Sequence, residues 1–119
     1  MRTVLVVEDN DLMRQVLVSH LRAGGRFDSV IEAATGAEAL VAAAQHHFAA
    51  VVMDLSLPDV RGSSLIVALR ASSPRARIVV FSAELHGRIE ADRYGADGFV
   101  AKGAELAELD HILDPDSAT

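Results

Sequence analysis

Four short apolar runs in this chain each lead directly into a polar residue with chemistry to offer. Val4–Val7 leads into Glu8 and Asp9, Val51–Met53 into Asp54, Ile78–Phe81 into Ser82, and Phe99–Ala101 into Lys102. Continuous Val, Ile and Leu runs of this length read as strands buried on both faces, and such strands belong to parallel sheets covered by helices. In an open parallel sheet, ligands bind beyond the carboxyl ends of the strands. Glu8, Asp9, Asp54, Ser82 and Lys102 are therefore expected on one rim.

Helical patterns fill the intervals. Leu12, Met13, Val16, Leu17 and Leu21 recur at helical spacing from about Asp11 to Ala23, with Asn10 or Asp11 as cap and Gly24-Gly25 as the stop. A second strand is expected over Ser29–Ala33, an alanine-rich helix over Gly36–His46, and a third strand over Ala50–Asp54. A loop with Pro58 and Gly62 then leads to a helix of about Ser63–Ala71, ended by Ser72-Ser73-Pro74. Arg77–Ser82, a weak helix near Gly87–Tyr94, the turn Gly95-Ala96-Asp97-Gly98, Phe99–Ala101 and a helix of about Ala104–Leu113 complete the alternation, with Pro115 as terminator. Right-handed crossovers leave few layouts for such βα units. The flavodoxin-like order 2-1-3-4-5, a five-stranded parallel sheet with helices on both faces, is the expectation. That order puts Asp54 at the centre, with the acids of the first strand on one side and Ser82 and Lys102 on the other.

At 119 residues the chain reads as one domain, 1–119, able to bury roughly two-thirds of its unfolded surface. The absence of cysteine removes disulfides, thiolate catalysis and Cys-based zinc sites together. No apolar stretch reaches membrane-spanning or signal-peptide length, so a cytoplasmic setting is expected. A formal charge of −6 with no stripe of Lys and Arg argues against nucleic-acid binding by this domain.

Carboxylates from Glu8, Asp9 and Asp54 crowded at one rim repel each other unless a cation offsets the repulsion. A hard divalent ion with oxygen ligands suits them. Mg²⁺ takes one or two carboxylates, keeps several waters and completes its shell with phosphate oxygens. Lys102 would supply a point charge for a phosphoryl oxygen and Ser82 a hydrogen-bond donor. Phosphoryl transfer is largely positioning and charge neutralisation, so the central carboxylate of Asp54 can itself serve as nucleophile, giving an aspartyl phosphate.

Val-Val-Glu-Asp-Asn (6–10), Val-Val-Met-Asp-Leu-Ser-Leu-Pro-Asp-Val-Arg-Gly (51–62), Val-Phe-Ser-Ala (80–83) and Gly-Ala-Asp-Gly-Phe-Val-Ala-Lys (95–102) stand in order along the chain. Together they resemble the receiver domain of two-component response regulators. The resemblance implies Asp54 as phosphoacceptor, the acid pair Glu8/Asp9, the hydroxyl of Ser82, Phe99 as aromatic switch, and Lys102. It implies Mg²⁺ held by Asp9, Asp54 and the Ser56 backbone carbonyl beside Glu8. It also implies a sensor histidine kinase or histidine phosphotransfer protein as phosphoryl donor, an unknown downstream protein target, and signalling through protein contacts rather than enzymatic turnover. Two positions depart from the family: Gly103 stands where proline usually follows the lysine, and the switch position is phenylalanine rather than tyrosine.

Two other readings share parts of this pattern. A flavodoxin-like module needs a Gly/Ser/Thr-rich phosphate loop after the first strand, where this chain has Glu8-Asp9-Asn10-Asp11. An aspartyl-phosphate phosphatase of the haloacid-dehalogenase type expects Asp-x-Asp at its nucleophile, whereas Leu55 and Ser56 follow Asp54.

Overall fold

The computed structural model describes residues 2–84 and 87–114. Strands β1 (Thr3–Val7), β2 (Ser29–Ala33), β3 (Ala50–Met53), β4 (Arg77–Ser82) and β5 (Gly98–Ala101) alternate with helices α1 (Asp11–Gly24), α2 (Gly36–Gln45), α3 (Gly62–Ser72), α4 (Gly87–Arg93) and α5 (Leu106–Leu113). The strands form one parallel sheet in the order β2-β1-β3-β4-β5, as the alternation of patterns predicts.

The strands are hydrophobic without interruption because each face of the sheet has its own core. Side chains alternate along a strand. Leu5, Val7, Val51, Met53, Ile78 and Val80 face α2, α3 and α4, where Leu65, Ile66 and Leu69 cover them. Val4, Val6, Val52, Val79 and Phe81 face α1 and α5, against Leu17, Val18, Leu21, Leu109 and Leu113. Burial of this kind contributes about 25 cal/mol per Å² of apolar surface, which outweighs the modest net value of the ladder hydrogen bonds.

Local signals fix the helix ends. Asn10 caps α1 by accepting the Met13 N–H at 2.9 Å, and Gly25 closes it at φ +67°. Thr35 accepts the Glu38 N–H at 3.1 Å while Glu38 reaches back to the Ala34 N–H at 3.3 Å, a reciprocal cap on α2. The largest departure from expectation is α5, which starts at Leu106 rather than Ala104. Gly103 lies at φ +102° and the Ala104 N–H turns back to the Ala101 carbonyl at 3.0 Å, so residues 101–104 form a tight turn that delays the helix. Smaller shifts put the end of α2 at Gln45, that of α4 at Arg93, and Asp54 just past β3. The proposed terminator Pro115 lies outside the described residues.

Candidate phosphoryl and metal site

The ladders continue one residue beyond the strands and thereby orient the rim. The Glu8 N–H donates to the Ala33 carbonyl, Asp54 to Val7, and Lys102 to Ser82, at 2.9–3.0 Å. Each of these three candidate side chains thus leaves a backbone already held on the neighbouring strand. Carboxylate oxygens of Glu8, Asp9 and Asp54 lie within 4.8 Å of one another, with Glu8 and Asp54 buried and Asp9 exposed. The acid cluster expected from the strand ends is present.

Lys102 shares its charge between two of those acids. Its ammonium is 2.7 Å from Asp54 Oδ2 and 2.7 Å from Glu8 Oε1. Burial alone would lower the lysine pKa, but the Asp54 and Glu8 carboxylates outweigh it and hold the value above the ordinary one. Burial pushes the Glu8 carboxyl up and the charge of Asp54 adds to this, against the opposing pull of Lys102 and the Asn10 N–H. That N–H reaches Glu8 Oε2 at 3.1 Å. Glu8 is only 1 % exposed, and its Oε1 accepts no aligned hydrogen bond among the described residues. The 2.7 Å contact with Lys102 is an ion pair off hydrogen-bond alignment.

An incompletely satisfied buried carboxylate oxygen beside an exposed carboxylate, with oxygen donors throughout, fits a hard divalent cation such as Mg²⁺. Ser56 is exposed, and its N–H donates to Asp54 Oδ1 at 3.0 Å. This turn places Ser56 beside the acid cluster and fixes the Asp54 carboxylate from the side opposite Lys102.

Ser82 and Phe99 line the adjoining wall. Ser82 is buried, and its Oγ accepts the Glu84 N–H at 3.3 Å. Phe99, 6 % exposed, packs into the α2–α3–α4 core beside Ala91, and the Arg88 guanidinium covers its ring at 5.0 Å. A Cβ on Gly87 would stand 3.4 Å from the Phe99 ring and 3.8 Å from Ser82 Oγ, so both side chains border the start of α4. The ring is turned inward.

Sequence reasoning missed two groups. Arg14 donates to the Glu8 carbonyl at 2.9 Å and pairs with Asp11 and Glu32; its position three residues after Asp11, at the start of a helix leaving the acid pair, was the available signal. Asp59 accepts the Gly36 and Ala37 N–H groups, each at 2.9 Å, a long-range cap that no local pattern announces.

Comparison with known proteins agrees with this geometry. A family model described as the response regulator receiver domain matches residues 4–114. The chain belongs to the response-regulator receiver domain family. It is 37 % identical over 108 residues to the transcriptional regulatory protein PrrA of Mycobacterium tuberculosis, covering 89 % of this chain and 46 % of that protein. It is 34 % identical over 113 residues to the two-component response regulator PhoP of Pseudomonas aeruginosa, covering 92 % and 49 %. This receiver domain therefore spans about half the length of these relatives. Among solved structures, a Burkholderia pseudomallei response regulator with a phosphorylated aspartic acid, calcium ion and citrate superposes with TM-score 0.87 at 29 % identity, over 99 % of this chain and 69 % of that one. The Thermotoga maritima response regulator TrrA, in complex with Mg²⁺ and BeF, superposes with TM-score 0.85 at 26 % identity, over 97 % and 98 %. The flavodoxin-like and phosphatase readings are not favoured by these matches.

Proposed function

We propose that this receiver domain, spanning residues 1–119, accepts a phosphoryl group on Asp54 from a phosphohistidine of a sensor kinase or phosphotransfer protein. The observation that carries the reading is the position of Asp54: its carboxylate touches the Lys102 ammonium on one edge, the Ser56 N–H on the other, and the Glu8/Asp9 pair beside it. An Asp54 carboxylate oxygen attacks phosphorus, the bond from phosphorus to the donor imidazole nitrogen breaks, and the imidazole keeps the electron pair and takes up a proton. The product is an acyl phosphate.

Asp9, Asp54 and the Ser56 carbonyl, with Glu8 behind them, would hold Mg²⁺, which when bound supplies positive charge to phosphoryl oxygens. Lys102 is placed to follow a phosphoryl oxygen as charge builds beside Asp54, leaving Glu8 to the metal side. The Ser82 hydroxyl exchanges its Glu84 N–H contact for donation to a phosphoryl oxygen, and Phe99, its ring already inward against α4, passes that movement to the helix without leaving its pocket. Differential affinity of the phosphoryl group for two arrangements is what shifts their populations. Output is through protein contacts, in a cytoplasmic setting; no described helix is long and apolar enough to cross a membrane.

Borohydride reduction of protein treated with acetyl phosphate and Mg²⁺ tests the assignment. It should convert Asp54, and no other aspartate, to homoserine on peptide mapping. Homoserine at Asp9 or Asp59 instead would reject it.

A further inference from the structure

We propose that Asp59 is a positioning residue for the metal site, tethering the β3–α3 loop to the N-terminus of α2 so that the Ser56 carbonyl is presented to the cation. The inference rests on the proposed metal ligands Glu8, Asp9, Asp54 and Ser56, and concerns what holds one of them in place. The loop from Leu55 to Arg61 starts at the phosphoacceptor and ends at α3. Ser56 lies exposed within it, between half-buried Leu55 and buried Leu57. Leu57 packs into the core cluster shared by α2 and α3. The buried Leu57 and the Ser56 N–H on Asp54 Oδ1 form one fixed point at the start of the loop; a second, farther along, keeps the loop from swinging about it.

Asp59 and Val60 supply the second point. Both Asp59 oxygens are used, Oδ1 on the Gly36 N–H and Oδ2 on the Ala37 N–H, at 2.9 Å each. Val60 lies so close to Gly36 that a Cβ on the glycine would collide with the valine methyl groups, so the glycine makes room for the Val60 side chain against the start of the helix. The other first-turn donors of α2 need no help from Asp59: the Glu38 N–H bonds Thr35 Oγ1 and the Ala39 N–H bonds the Thr35 carbonyl. Thr35 and Asp59 therefore cap the same helix, but of these two caps it is Asp59 that ties it to the loop carrying Ser56. Groups that orient a metal ligand without touching the metal tune affinity substantially.

The test is calorimetric titration of Mg²⁺ into the wild type, Asp59→Ala and Thr35→Ala, with melting temperatures alongside. Both variants should melt lower. Asp59→Ala should weaken Mg²⁺ binding by about tenfold, the lower end of the range for such orienting groups, while Thr35→Ala binds as the wild type does. Should Asp59→Ala not fold, Asp59→Asn, which keeps one acceptor oxygen, should show a smaller loss in the same direction. Unchanged affinity in a folded Asp59 variant, or equal losses in the Asp59 and Thr35 variants, would overturn the tether while leaving the metal site standing. A wild type that takes up no Mg²⁺ would overturn the site and the tether with it.

Discussion

The Lys102 ammonium stands 2.7 Å from Asp54 Oδ2 and equally close to Glu8 Oε1, so the lysine of the fifth strand end serves as resident counter-ion to acids from the first and third. Crowded carboxylates are thereby tolerated before any metal arrives. A divalent cation would then add charge where Asp9 is exposed and one Glu8 oxygen lacks an aligned donor among the described residues.

Mg²⁺ should accordingly raise stability. If it binds only the native state, a concentration tenfold above its dissociation constant adds about 1.4 kcal/mol. Asp9→Asn should abolish most of that gain and raise metal-free stability by relieving repulsion. Melting curves with and without Mg²⁺ check both statements, and a melting temperature indifferent to the ion would remove the metal site.

Gly103 should resist substitution. At φ +102° with open space around it, the position refuses side chains for conformational reasons, not for lack of room. Gly103→Ala should cost about 1–3 kcal/mol in denaturant unfolding, and Gly103→Pro should cost more, since the proline ring fixes φ near −65°. A Gly103→Ala variant as stable as the wild type would show that the loop readily takes another path.

Much of this arrangement was legible because strand ends in a parallel sheet are fixed points. The apolar runs ending at Val7, Met53 and Phe81 specify strands, the order of βα units restricts the layout, and Glu8, Asp9, Asp54, Ser82 and Lys102 then converge without further information. What could not be read depends on backbone path or long-range pairing. The start of α5 turns on a positive φ at Gly103, a conformation glycine permits but does not compel. The Asp59 cap joins residues 22 and 23 positions apart, and nothing in the local sequence of either segment signals the other. The double role of Lys102, on Glu8 as well as Asp54, likewise needed coordinates.

Acid should loosen the tether between the β3–α3 loop and α2. The Ala37 and Gly36 N–H groups hold the Asp59 carboxyl below its ordinary value. The folded state thus binds this proton less readily than the unfolded state does. The stabilisation is complete above the ordinary value of 3.8 and is lost as pH falls through the lower folded value. Urea midpoints measured across this acid range should fall less steeply in Asp59→Asn than in the wild type; parallel curves would deny Asp59 this role.

Phe99 should remain inward when the site is filled. Its ring is already buried under Arg88, and it has no hydroxyl to draw it toward solvent. With Mg²⁺ and BeF₃⁻, ring proton contacts to Ala91 should persist in nuclear Overhauser spectra while the Ser82 and Glu84 amides shift. Loss of the ring contacts, with unmoved Ser82 and Glu84 amides, would contradict the coupling.

Intact-mass measurement of the wild type and Asp54→Asn after incubation with acetyl phosphate and Mg²⁺ tests the central claim most directly. The wild type should gain a single phosphoryl group that is lost on mild alkaline treatment, as an acyl phosphate is, and Asp54→Asn should gain none. Equal labelling of the two proteins, or a wild type that never gains the mass, would contradict the assignment of Asp54 as phosphoacceptor.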